Sequence, residues 1–166
     1  DGLSRLRDDN LFVTAPSDNE WLALIINAHR LPGATLKNYA IEARMTLKSV
    51  VEPAHDKVGV VLKTGFDERV LFMFRHKGFA SFARSEPDVK EVPLAVPHDF
   101  TPQLGRMVDV RIEVLNADVG SQVYFCANGE FIGGRRFSTL RDATEVGLYV
   151  HFADAEFDYF RIKLLL

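Results

Sequence analysis

Residues 107–134 read MVDVRIEVLNADVGSQVYFCANGEFIGG, and here a strand, a turn and a return strand are legible together. Val108, Val110, Ile112 and Val114 alternate with Asp109, Arg111 and Glu113. A period of two is what a strand shows when one face is buried and the other is wet. Ala117 to Gly120 supplies loop residues, after which Val123 and Phe125 resume the alternation up to Asn128-Gly129. That dipeptide tolerates the positive φ values of a tight hairpin. Phe131 and Ile132 begin the return.

The same grammar extends outward. Tyr39, Ile41, Ala43, Met45 and Leu47 take one face of a strand and Glu42, Arg44 and Thr46 the other. Val58 to Lys63 is a short apolar run, Val70 to His76 a further β-type run with Phe72 and Phe74 on one side, and Phe79 to Arg84 continues the meander. Pro87, Pro93, Pro97 and Pro102 punctuate a long connection in which a regular ladder would be interrupted. Leu140 to Glu145 reads as polar connection with room for one helical turn. Val146, Leu148, Val150 and Phe152 alternate again, and the last strand sets Phe160, Ile162 and Leu164 against outward Tyr159, Arg161 and Lys163.

The first 38 residues are less explicit. Leu11-Phe12-Val13 suits a short edge strand. Ser17 to Glu20 has the spacing of a helix capping box, yet WLALIINAHR after it is apolar on every side and short, which also fits a strand covered on both faces. Its neighbours are all strands, so the strand reading is preferred for 18–30. About ten turn-bounded strands without intervening helices predict two packed antiparallel sheets, a jelly-roll β-sandwich, with a closed barrel as the alternative. The 166 residues suit one domain, with 1–38 leading into a core over 39–166.

Composition narrows the functions. The chain is 47% hydrophobic and 26% charged, with 13 Phe to fill a core. A net charge of −3 and singly scattered cations, Arg135-Arg136 being the one Arg pair, leave no basic stripe for nucleic acid. The single Cys126 cannot form an internal disulfide, no apolar run has the length of a membrane span, and the segment from Asp1 does not read as a signal peptide.

The succession NYAIEARMTL, VGVVLKTG, VLFMFRHKGFASFAR, VDVRIEVLN with QVYFCANGEFIG, and EVGLYVHFADAEFDYFRIKLL resembles the concanavalin A-like lectin/glucanase superfamily, in particular its laminin-G-like modules, from about Tyr39 to Leu166. The resemblance implies a jelly roll. It leaves the activity open, because the superfamily includes sugar binders, glycosidases and adhesion domains.

Catalysis in the glucanase branch rests on carboxylates alternating along one strand, and no Glu-x-Asp-x-Glu occurs here. Asp109 and Glu113 are separated by Arg111 and stand roughly 13 Å apart in Cα, so they read as a surface charge ladder. Glu156 and Asp158 lie two apart, but they stand at the mouth of the closing strand on the parity of Phe160 and Ile162, where a carboxylate more often bonds backbone amides of a loop. No catalytic residue is therefore assigned. The five histidines show no metal spacing. The resemblance does allow a structural calcium, with oxygen ligands among Asp8, Asp9, Asp118, Asp154 and Asp158, and Asp158 is the one singled out. No other cofactor is expected.

Sugars offer CH-rich faces and rings of hydroxyls, which an exposed aromatic flanked by planar hydrogen-bonding groups recognises. Tyr149 and His151 share a face beside Gly147, and Arg44, Arg111 and Arg161 point away from the core by parity. Trp21 is a further aromatic candidate. The expected function is a non-catalytic carbohydrate- or glycoconjugate-binding module of a larger extracellular or cell-surface protein. The alternatives are a protein interaction or adhesion domain and a divergent glycoside hydrolase.

Overall fold

The computed structural model describes residues 3–7, 10–14, 22–24, 38–51, 53, 55–64, 69–76, 80–85, 90–93, 102–137 and 143–165. Within them the strands are, in chain order, β1 (Leu3–Arg7), β2 (Asn10–Thr14), β3 (Leu22–Leu24), β4 (Asn38–Val50), β5 (Lys57–Thr64), β6 (Arg69–Phe74), β7 (Ala80–Ser85), β8 (Lys90–Pro93), β9 (Met107–Ala117), β10 (Gly120–Ala127), β11 (Glu130–Phe137), β12 (Ala143–His151) and β13 (Ala153–Leu164). They form a seven-stranded sheet, β1-β2-β13-β4-β9-β10-β11, and a six-stranded sheet, β3-β12-β5-β6-β7-β8. Every pairing is antiparallel, for example β4 with β9, β5 with β6 and β12 with β5. The protein is a jelly-roll β-sandwich, not a closed barrel.

The interior follows the alternation. Ile41, Ala43 and Met45 of β4, Val110, Ile112 and Val114 of β9, and Val123 and Phe125 of β10 face Val58, Val60 and Leu62 of β5, Val70, Phe72 and Phe74 of β6, and Val146, Leu148 and Val150 of β12. Phe72 ties the two layers together, its ring stacked on Phe125 at 6.4 Å and edge-on to Phe137 at 6.0 Å. Offset and edge-to-face geometries suit the aromatic quadrupole.

The two sheets differ on their outer faces. In β5, β6 and β12 the residues 58–62, 70–74 and 146–150 are all buried, and the face turned away from the sandwich interior holds a second apolar cluster, Val61, Leu71, Met73 and Tyr149. Those unbroken apolar runs belong to strands covered on both sides. Gly59 lies on that same face, opposite Met73 and Tyr149, where a Cβ would stand 1.9 Å from the Phe72 carbonyl oxygen. β9 and β10 alternate in burial, and the second face of β4, β9 and β10 carries mostly polar side chains, with Glu42 and Thr46 of β4 buried among them.

The hairpin forms as read: Asn128 (φ 52°) and Gly129 (φ 82°) both occupy the left-handed region between β10 and β11. Phe152 (φ 48°) joins β12 to β13 in the same region, a costly conformation for a bulky residue, held by burial and by the Val51 N–H donating to its carbonyl at 2.9 Å.

Several expectations are corrected. Leu11 to Val13 lie in β2, which is not an edge strand: it pairs with β13 on one side and with β1 on the other. Residues 143–145 belong to β12 and not to a polar connection. Pro93 does end a strand, but one at a sheet edge, where a missing N–H is tolerated. Residues 22–24 are strand, while the rest of 18–30, including Trp21, lies outside the described residues.

Candidate functional site

The polar face of the seven-stranded sheet gathers side chains from three neighbouring strands that are distant in sequence. Pairing sets Arg44 opposite Asp109 and Glu42 opposite Arg111 across β4 and β9, and Arg161 opposite Glu42 and Tyr159 opposite Arg44 across β13 and β4. Directly opposite residues share a face. Glu42, Arg44, Asp109, Arg111, Glu113, Tyr159, Arg161 and Lys163 therefore project together.

Two linked clusters result. In one, Arg44 Nε donates to Asp109 Oδ1 at 2.7 Å and its Nη2 to Oδ2 at 3.3 Å, while Nη1 reaches Asp158 Oδ2 at 3.3 Å and the Tyr159 hydroxyl donates to Asp109 Oδ1 at 3.3 Å. In the other, Glu42 accepts from Arg111, Arg161 and Lys163, and Arg111 Nε also donates to Glu113 at 2.7 Å. Tyr159 joins the two, with the Arg44 and Arg161 guanidiniums 5.3 and 5.0 Å from its ring centroid. Such contacts are cation–π interactions, and they hold both planar cations in place.

The electrostatics follow from these contacts. Desolvation pushes the Glu42 carboxyl up, but hydrogen bonds and charge from Lys163 and Arg161 outweigh it and hold the group below its ordinary value. The Arg44 fork holds Asp109 low, and Asp109 in turn raises Arg44. Burial and the Asp109 charge raise the Tyr159 hydroxyl. Glu42 and Asp109 are thus held ionised, as acceptors rather than proton donors.

The candidates from sequence separate. Arg44, Arg111 and Arg161 point outward as their parity predicts, and the pairing of β13, β4 and β9 brings them together. Tyr149 and His151 share a face, their rings 6.2 Å apart and stacked, but they stand on β12 in the other sheet, away from the arginines. Tyr149 is 1% exposed and packed with Val61, Leu71 and Met73, so it is not the exposed aromatic expected. Its alternation was read correctly, but the six-stranded sheet is covered on the face where it projects.

The assignments on β13 also change. A bulge between Phe157 and Tyr159 inserts Asp158 as the extra residue and resets the alternation, so Glu156 points to the polar face with Tyr159 and Arg161, not with Phe160 and Ile162. Glu156 pairs with Lys48 at 2.9 Å. Asp158 turns to Arg44, and among the described residues no group of three or more His, Cys, Asp or Glu side chains is assembled to hold a metal ion; Asp8 and Asp9 lie outside the described residues. Asp154 accepts from the Ser49 hydroxyl, and Asp118 lies in the exposed turn between β9 and β10.

Sequence reasoning passed over Glu42, Asp109, Tyr159 and Lys163 as site residues. The alternation in NYAIEARMTL and DYFRIKL places Glu42, Tyr159 and Lys163 outward. The pairing that joins them spans 119 residues between Glu42 and Arg161 and is not written in any local pattern.

The fold is shared with proteins of known structure. Sheep galectin-11 in complex with glycerol superposes with a TM-score of 0.56 at 13% identity, over 86% of this chain and 94% of that one. Carbohydrate-binding module CBM66 from Bacillus subtilis gives 0.59 at 12% identity, over 98% and 92%. The alginate lyase Aly36B gives 0.56 at 12% identity, over 96% and 80%. These are concanavalin A-like β-sandwiches, the fold that the sequence resemblance implied. No protein-family model matches the chain, nor does any curated protein. Among the described residues no helix is long and apolar enough to cross a membrane.

Proposed function

We propose that the chain is a non-catalytic carbohydrate-binding module whose site is the polar face of β13, β4 and β9. The observation that carries this reading is the convergence of Arg44, Asp109, Asp158 and Tyr159 on one accessible sheet face, with their planar groups already held in fixed orientation. Vicinal hydroxyls present donor and acceptor pairs at the spacing of a guanidinium or carboxylate edge, and a rigid array binds them with little ordering penalty. Because Arg44 and Arg161 lie over the Tyr159 ring, the ring's role is to fix the cations, and hydrogen bonding carries recognition. The company of the fold supports the reading: a carbohydrate-binding module shares it, and so does a galectin solved with glycerol, a polyol.

The carboxylates of this face argue for binding without turnover. A general acid needs a raised pKa, whereas Glu42 and Asp109 are held low and Glu156 and Asp158 each face a cation.

Calorimetric titration of the chain with neutral and acidic oligosaccharides tests the proposal. Binding in the micromolar to millimolar range is expected, weakened about tenfold or more by Arg44→Ala and by Tyr159→Ala, with His151→Ala on the other sheet neutral. No binding at millimolar concentration, binding lost only through His151→Ala, or release of reducing ends that Asp158→Asn abolishes would each overturn it.

A further inference from the structure

The Glu42 end of the face carries a surplus of cations. Among the described residues, Arg111, Arg161 and Lys163 surround Glu42 and Glu113 is the one further carboxylate in the cluster, so three positive charges meet two negative ones. The Arg44 end has the opposite balance among the described residues, one cation against Asp109 and Asp158. The face is therefore polarised along the strands.

The surplus sits on accessible donors. Arg161 and Lys163 are 55% and 47% exposed at the side chain. Glu42 engages Nε of Arg161, and among the described residues no carboxylate accepts from either of its terminal nitrogens. Lys163 shares the face two residues on, roughly 7 Å along the strand. Beyond Phe157, β13 has β4 as its one neighbour among the described residues, since β2 pairs with Asp154 to Phe157. The two cations thus stand, half-exposed, on the part of β13 that has this single described neighbour.

From this arrangement we infer that the site prefers acidic saccharides, with the terminal nitrogens of Arg161 and the ammonium of Lys163 receiving the carboxylate of a uronic acid residue while the Arg44 end takes hydroxyls. A planar carboxylate matches the guanidinium edge in a way that a hydroxyl does not. Glu42 and the Tyr159 ring hold Arg161 in place, so it meets the ligand already ordered. This inference rests on the proposed function and adds the chemical class of the sugar.

The test compares a galacturonate hexamer with its carboxyl-reduced, neutral counterpart, titrated into the intact chain. The expected ratio of affinities is about ten in favour of the acid at low ionic strength, shrinking toward one in half-molar salt as a screened charge interaction must. Arg161→Gln and Lys163→Gln, made separately so that one folding failure does not decide the matter, are each expected to reduce the ratio, and Arg161→Lys to keep part of it. Equal binding of both hexamers by the wild type overturns the inference while leaving the sugar-binding reading standing, and so does a ratio that survives both Gln variants. Failure of both hexamers to bind overturns both.

Discussion

Glu42 is the residue on which the polar face turns. Its side chain is 10% exposed, and it accepts from three cations brought in by β9 and β13. A carboxylate so placed has a folded-state pKa below its ordinary 4.5, so the unfolded chain binds the proton more tightly. Its contribution is complete above the ordinary value and is lost as pH falls through the lower, folded one. Asp109, lowered from 3.8 by Arg44, acts in the same sense. Glu42→Gln is therefore expected to lower stability at pH 7 by about 1 to 2 kcal/mol, the order of a partly screened charged hydrogen-bond set. The difference from wild type should narrow as pH falls below 4.5, which urea unfolding midpoints at pH 7 and pH 3 will measure. A gap that stays constant with pH would show that the cations do not act through the Glu42 charge.

At the scale of the element, the bulge in β13 shows where local reading stops. From Ala153 to Leu164 the apolar residues fall at 153, 155 and 157 and then at 160 and 162, so the parity changes once inside the strand. A regular strand cannot bury both sets, and the extra residue, Asp158, resolves the conflict by standing outside the pairing. Reading the strand as regular put Glu156 and Asp158 on the Phe160 face, although the sequence already held the mismatch that refutes it. Removing Asp158 should force either Ala155 and Phe157 or Phe160 and Ile162 toward solvent. Deletion of Asp158 is thus expected to lower stability by more than about 3 kcal/mol, while Asp158→Ala, which loses an exposed ion pair, stays within about 1 kcal/mol. Chemical denaturation of the two variants side by side checks the contrast.

For the whole molecule, stability rests on the seam between the sheets, and Phe72 stands at its centre, fully buried, reaching from β6 to Phe125 of β10 and Phe137 of β11. Phe72→Ala opens a cavity facing both layers and is expected to cost about 3 to 5 kcal/mol, read from the thermal or denaturant midpoint. Phe131, with a comparable ring but 59% exposed on an edge strand, should tolerate the same change within about 1 kcal/mol. The division between what was legible and what was not follows from range. Strand existence, the Asn128-Gly129 hairpin and the inward or outward sense of most side chains depend on residues within a few positions of one another, so the sequence by itself determined them, and with them the sandwich class. Which strands became neighbours, which sheet kept a face open to water, and hence that Tyr149 is buried while Arg44, Tyr159 and Arg161 meet around Glu42, depend on pairings between segments up to more than a hundred residues apart. Alternation says only that a side chain leaves the core. What it meets there depends on global packing, and only the tertiary structure could decide it.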